Sequence, residues 1–290
     1  MKSIEGGTMI SEEKDQGESA QSLGRRRLTR RAEILAQFKV RLRGGKPVIG
    51  MQHSSGSAAV VELLAWAGFD FTIIDMEHSS YSIEKTEELV RTGEATGMVT
   101  FVRILENDPK QIMQALETGA QGVLVPHVIT KEDARRALAS AKYMPDGIRG
   151  KTGGARSAYW SMGDWHEYQR WANSEVMVVP IIEDKEAIDH IDKIFAIQGF
   201  EIISIGPGDL SQSFGDPGMG LESPGVSNAL DRAIALGKQY GISVMTIPLP
   251  ALSNEFTRTV IERGAKVIWY GADVINIGKY FRHMAQVRDI

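Results

Sequence analysis

The sequence contains no cysteine. That absence excludes disulfide frameworks, thiolate zinc sites and cysteine nucleophiles together. It also lacks any apolar run approaching the roughly 18 residues that a membrane span requires. Charge of one sign is not in excess: 33 Lys and Arg stand against 37 Asp and Glu, a formal net charge of −4. With a pI near 5.9, the chain lacks the basic surface that a phosphate backbone demands, so neither nucleic acid nor a membrane is an expected partner. The stretch MKSIEGGTMISEEKDQGESAQS has no apolar centre and is rich in acids, unlike a secretory or mitochondrial address. The expected location is the cytoplasm. What is present is ordinary for a globular protein, 42% hydrophobic and 24% charged over 290 residues, which leaves room for one large core or two small ones.

Residues 1–23 are polar and read as a mobile tail, with 24–290 as a single domain. The domain opens on an expected helix over 25–43, where Leu28, Ile34, Leu35, Phe38 and Leu42 recur at helical spacing before Gly44-Gly45. Its arginines invite a nucleic-acid or partner-docking reading. In an acidic chain, a solvated helix with one apolar face is the simpler one.

From Lys46 onward, short β-branched runs alternate with amphipathic helices. The strands are expected at 48–52, 71–75, 99–104, 122–128, 176–183, 202–205, 243–247 and 267–270. The helices are expected near 58–67, 83–96, 109–118, 131–142, 185–197, 227–240, 252–263 and 273–287. Eight strand–helix units without a hairpin signal are the arithmetic of an α/β chain folded as a (β/α)8 TIM barrel. An open doubly wound sheet would want Gly-x-Gly-x-x-Gly after its first strand, and Gly50 to Gly56 does not supply it. The long connection 144–175, with Trp160, Trp165 and Trp171, reads as a lid or an interface. Its Gly150-Lys151-Thr152 imitates the end of a P-loop but follows a helix and has Pro145 where that motif needs glycine.

In such a barrel, chemistry sits where the strands end. The second strand runs out into Asp75-Met76-Glu77-His78, the third ends at Arg103, the fourth at Pro126-His127, the fifth at Glu183-Asp184, and the sixth leads into Gly206-Pro207-Gly208-Asp209. Glu183 and Asp209 come from consecutive strands, and two carboxylates so close repel unless a cation lies between them. Oxygen ligands without cysteine or clustered histidine favour Mg²⁺ or Mn²⁺ over Zn²⁺, with Co²⁺ a further candidate. The bland alternative is that either acid caps the following helix, a task Asp184 or Ser211 could equally perform. His78, beside Asp75 and Glu77, has the side chain for proton transfer. Arg103 suits a carboxylate or a developing enolate oxygen, and an ion pair with Asp75 or Glu77 is compatible with that role. His53 and His127 also lie near strand ends and read as less directly involved. A 2-oxo acid could chelate the ion. The pattern by itself leaves aldol cleavage, decarboxylation and enolisation open, while no strand end carries the lysine that a Schiff base needs.

Gly68-Phe69-Asp70 with Ile74-Asp75-Met76-Glu77-His78 resembles the HpcH/HpaI family of metal-dependent pyruvate aldolases. So do Arg103 with Asn107-Asp108-Pro109, Gly119-Ala120-Gln121 with Val125-Pro126, Pro145 through Gly150, and Ile205 through Ser211, in order over about 47–283. The resemblance implies a class II aldolase that reversibly cleaves a 4-hydroxy-2-oxo acid to pyruvate, or a close 2-oxo acid, and an aldehyde. It implies that Glu183 and Asp209 hold the metal, that His78 is the base acting through a metal-bound water, and that Arg103 stabilises the transition state. It further implies that the Gly208 backbone meets the pyruvate carboxylate. Assembly would be a homo-oligomer, a hexamer, with the last helix exchanged between subunits. Two positions depart from the family pattern. Ile181 stands where a substrate-contacting glutamine is usual, and Glu117 stands where an aspartate raises the basicity of the histidine. The other readings are a metal-dependent decarboxylase or citrate-lyase-like enzyme on the same barrel, and a non-catalytic barrel that binds a dicarboxylate.

Overall fold

The computed structural model describes residues 20–289. Eight strands pair in parallel and in chain order: β1 (Val48–His53), β2 (Phe71–Asp75), β3 (Val99–Arg103), β4 (Gly122–Val125), β5 (Met177–Ile182), β6 (Ile202–Ile205), β7 (Ser243–Thr246) and β8 (Val267–Ala272), with β8 closing onto β1. The expected (β/α)8 barrel is the fold. Its strands read as unbroken apolar runs because both faces are covered, one by the barrel interior and the other by helices. All five residues of β2 are buried, as are all five of β3.

The helices are α1 (Ala20–Arg43), α2 (Ala58–Trp66), α3 (Ile83–Thr96), α4 (Pro109–Glu117), α5 (Lys131–Ala141), α6 (Trp165–Glu175), α7 (Lys185–Phe195), α8 (Pro207–Phe214), α9 (Pro224–Tyr240), α10 (Asn254–Arg263) and α11 (Asp273–Ala285). Local chemistry starts them where expected. Asp108 accepts from the amides of Lys110 and Gln111 ahead of Pro109, and Thr130 with Asp133 forms a capping box on α5. No helix among the described residues is long and apolar enough to cross a membrane.

Four expectations need correction. The first helix begins at Ala20 rather than Arg25; of the expected tail, residues 1–19 lie outside the described residues. The connection 144–175 is not one loop but carries a 3-10 turn at Arg156–Ser161 and the whole of α6, capped by Asp164. Tyr143, Trp165, Tyr168 and Trp171 pack edge-on or tilted against one another there, with centroids 5.2–6.2 Å apart. A short extra helix, α8, follows β6. Strand β4 stops at Val125, not Val128, because Pro126 has no amide to donate and His127 takes a left-handed backbone, φ 51°.

α1 has the expected single apolar face, with Arg30, Arg41 and Arg43 exposed and Arg31 buried. α1 lies across the amino-terminal mouth of the barrel, and Ile34, Leu35, Phe38 and Leu42 join the interior cluster of Phe71, Phe101 and their neighbours. The Phe38, Phe71 and Phe101 rings meet edge-to-face at 5.6–5.9 Å. Arg31 is buried against Glu94 at 3.1 Å and over the Tyr159 ring. Lys39 is buried between Glu175 and Glu201. Arg31 and Lys39 are thus paired within the barrel, while Arg41 and Arg43 stay exposed, as a helix with one apolar face leaves them.

Alternation along each strand decides which residues face the barrel axis. Val48, Gly50 and Gln52 of β1 share one face, as do Phe71, Ile73 and Asp75 of β2, and Val99, Phe101 and Arg103 of β3. Gly50 pairs in register with Phe71, and a Cβ at Gly50 would lie 2.2 Å from that ring. Gly50→Ala is therefore expected to destabilise the fold by roughly 1–3 kcal/mol, as overpacking does. A urea titration checks this; an unchanged midpoint would show that the ring can yield.

Candidate active site

The same alternation puts polar side chains above the apolar layers at the carboxyl ends of the strands. Asp75 and Arg103 are paired in register across β2 and β3. Both are buried, and the guanidinium meets the carboxylate twice, Nε to Oδ1 and Nη2 to Oδ2, each at 2.8 Å. Its Nη1 reaches Glu77 Oε2 at 3.1 Å, and its plane lies 5.1 Å from the centre of the Trp269 ring. Burial opposes the charge on Arg103, but the Asp75 hydrogen bonds outweigh it and raise its pKa above the ordinary value. Asp75 also accepts from Gln52 Nε2 at 2.7 Å and from the amide of Glu77 at 3.1 Å. The arginine is thus held from several sides in one orientation.

His78 follows this pair on the turn after β2. Its ring is largely exposed, with Nε2 3.7 Å from Glu77 Oε2. Burial pushes the Glu77 carboxyl up from its usual range while Arg103 pulls it back.

Glu183 directly follows β5 and is only 4% exposed. One carboxylate oxygen accepts the His127 amide at 3.0 Å. The other faces Gly206, where a Cβ would come within 2.8 Å of it. Burial first, then the negative charges of Glu77 and Asp209, push the Glu183 carboxyl up to about 7. Asp209 lies exposed in the first turn of α8, beside Gly208, so it stands on the helix after β6 and not on the strand itself.

The other anticipated residues divide. Ile181 is fully buried in the barrel interior and contributes an apolar wall close to Gly206. Glu117 ends α4, at the opposite end of the barrel from the strand termini. Burial raises its carboxyl pKa and the charge of Arg149 lowers it. The chain's own fold does not bring it to His78. His53 is buried at the end of β1, with Nδ1 3.1 Å from Asp273 Oδ2.

His127, read as less directly involved, stands beside the site. Its half-exposed ring sits among Asp184, Glu183 and Glu77. Burial works against charging it, but the Asp184 hydrogen bond and the nearby carboxylates raise its pKa. Gln52 and Trp269 were missed altogether. Strand alternation carried along β1 and β8 could have found them, since both share a face with interior residues.

Among the described residues no group of three or more His, Asp or Glu could enclose a metal. Two oxygen ligands with positions left for water and substrate are the open arrangement expected of a catalytic ion. A carboxylate whose pKa is pushed up chiefly by burial, with neighbouring acids adding to it, is relieved by a cation. The residues fit.

A model of the HpcH/HpaI aldolase/citrate lyase family matches residues 49–278. The chain belongs to this family. The family is one of lyases, and its curated members include close relatives of this chain. A hydroxypyruvate/pyruvate aldolase of Sagittula stellata is 35% identical over 234 residues, 80% of this chain and 89% of that protein. A 4-hydroxy-2-oxo-heptane-1,7-dioate aldolase of Salmonella paratyphi C is 34% identical over 241 residues, 81% of this chain and 88% of that protein. Among solved structures, a family protein from Burkholderia cenocepacia aligns with a TM-score of 0.80 at 31% identity, covering 88% of this chain and 99% of that one.

Proposed function

We propose that the chain is a metal-dependent class II aldolase that reversibly cleaves a 4-hydroxy-2-oxo acid to pyruvate, or a close 2-oxo acid, and an aldehyde. The observation that carries it is the Asp75–Arg103 pair set beside a buried Glu183 whose carboxyl is raised to about 7. The relatives named as aldolases support the same reading, as does the family's general dependence on a divalent metal.

Glu183 and Asp209 would hold the ion, Mg²⁺ or Mn²⁺, which would supply Lewis-acid polarisation of the 2-oxo group and offset enolate charge. The substrate carboxylate is received at the amino-terminal turn of α8, where the Gly208 backbone is exposed and unpaired helix amides favour an anion. His78 accepts the proton of the C4 hydroxyl through a water. The C3–C4 bond breaks, its electron pair stays with the 2-oxo acid as the enolate, and the C4 fragment leaves as the aldehyde. Arg103 donates toward the enolate oxygen from an orientation fixed before the reaction, so little reorganisation is needed. Return of a proton to C3 gives the 2-oxo acid.

The protein is proposed to act as a homo-oligomer, a hexamer with α11 exchanged between subunits. α11 leaves Val274, Ile275, Tyr280, Phe281 and Met284 exposed, and Glu117 could then serve a neighbouring site.

The test follows the methyl protons of pyruvate in D₂O by NMR, with Mg²⁺ or Mn²⁺ and then with EDTA. Metal-dependent exchange that disappears in His78→Ala is expected. No exchange with either metal would set this reading aside in favour of a decarboxylase or a barrel without chemistry.

A further inference from the structure

We propose that Gln52 is a positioning residue that transmits the seating of α11 to Arg103, so that the arginine keeps its orientation only while Asp273 is in place. The inference rests on the role given to Arg103 above.

The last helix is seated on the barrel at one end. Asp273, its first residue, is the only residue of α11 that is buried, while Val274, Ile275, Tyr280, Phe281 and Met284 stand exposed. The N-cap position is Ala272, whose side chain has nothing to offer a helix amide. Asp273 gives most of its carboxylate to the loop after β1 instead. Oδ1 accepts the amides of Ser54 at 2.8 Å and Val274 at 2.7 Å. Oδ2 accepts the Ser55 hydroxyl at 2.6 Å and the Ser55 amide at 3.3 Å, with Nδ1 of the buried His53 3.1 Å away. Burial opposes the charge, but these partners more than offset it and hold the Asp273 carboxyl down to about 2. α11 is thus seated chiefly through one ionised side chain on residues 53–55.

Gln52 carries that contact into the site. It precedes the loop on β1 and pairs in register with Ala272, the residue before α11. Its Nε2 donates to Ser54 Oγ at 3.0 Å and to Asp75 Oδ2 at 2.7 Å. Both hydrogens of the amide are spent, which fixes its plane; reversed, its oxygen would face the Asp75 carboxylate. Asp75 in turn holds Arg103 through two bonds of 2.8 Å. Tyr81 adds a parallel tie, since its hydroxyl donates to the His53 carbonyl at 2.7 Å and accepts the Asp75 amide at 3.0 Å. The end of β1 therefore grips Asp75 by side chain and backbone, and Asp273 grips the end of β1. Displacing α11 loosens the loop, and the loop releases Gln52. The arginine then loses the carboxylate geometry that aims it.

The experiment measures kcat and KM for pyruvate methyl exchange in D₂O with Mn²⁺. The variants are Gln52→Met, Ser54→Ala and Asp273→Asn, each made in the wild-type background and in Arg103→Lys. A thermal melt of each variant establishes that it is folded. Ser54→Ala keeps the amide bond to Asp273 and removes only the link to Gln52, so it decides the case if Asp273→Asn does not fold. In the wild-type background Gln52→Met should lower kcat by about tenfold, with KM for pyruvate within about twofold, because misplacing an oriented group is felt in turnover. Ser54→Ala and Asp273→Asn should lower kcat in the same direction by about threefold. In the Arg103→Lys background each should change kcat by less than about twofold, since the group they orient is gone. A substitution that merely weakens the fold would cost the same factor in both backgrounds. That result overturns the inference, as does a kcat for Gln52→Met within about twofold of wild type. Absence of exchange in the wild-type protein overturns the aldolase reading, and this inference falls with it.

Discussion

Arg103→Ala is expected to lower pyruvate exchange by about 10²–10³-fold, the usual loss when one oriented donor to a developing oxyanion is removed. It should also destabilise the fold by roughly 3–5 kcal/mol, because Asp75 is left buried and charged without its partner. The second effect could masquerade as the first, so the two must be separated. Arg103→Lys keeps a cation but loses the planar fork that meets Asp75 twice and stacks near Trp269. It should melt closer to wild type and still lose about 10²-fold in exchange. The double variant Asp75→Asn with Arg103→Met removes both charges together and should recover most of the stability lost in Arg103→Ala. It should recover none of the exchange. Restoration of exchange in that double variant would mean that the arginine serves only to neutralise Asp75. Urea titrations and the NMR exchange assay together decide between these outcomes.

Glu183→Gln should abolish metal binding while strengthening the metal-free fold at alkaline pH. The buried carboxyl titrates near 7 against an ordinary value of 4.5. The folded state therefore keeps a proton that the unfolded chain releases across that interval. Stability from this group is fully present below about 4.5 and is lost as pH rises through 7. The amide cannot ionise, so at pH 8 the metal-free variant should be more stable than metal-free wild type by roughly 2–3 kcal/mol, and near pH 4.5 the two should match. Added Mn²⁺ should raise the Tm of wild type, more at pH 8 than at pH 6, since proton and cation compete for the same oxygens. It should leave the Tm of Glu183→Gln unmoved. A variant that still gains stability from Mn²⁺ would show that the ion binds elsewhere.

The barrel was legible because its signal is periodic and repeated. Each β-branched run between amphipathic helices carried its own evidence, and β2 and β6 came out with the expected bounds. Asp75, Arg103 and Glu183 were legible for the same reason, as charges at the ends of apolar runs. What escaped depended on contacts that no local pattern records. α6 was hidden because its aromatic residues pack on Tyr143 rather than form a regular apolar stripe. α8 was hidden by Pro207-Gly208, which reads as a turn although proline suits a first helical position. The acids around His127 could not be read from its neighbours in sequence, since Asp184 and Glu183 reach it from the end of the adjacent strand. The burial of Arg31 and Lys39 likewise depends on acids supplied from more than 60 residues away.

The plug formed by α1 has a consequence for the order in which the molecule is made. α1 precedes every strand it covers, yet Lys39 finds its carboxylates at Glu175 and Glu201, and Arg31 finds Ser157 and Glu94. During synthesis the helix emerges long before these acceptors exist. Its apolar stripe must wait, unburied, until more than half of the barrel has followed it, a separation in sequence that slows folding. The cations along that stripe then have a use besides their final ion pairs: they keep an early, exposed apolar helix in solution until its partners arrive.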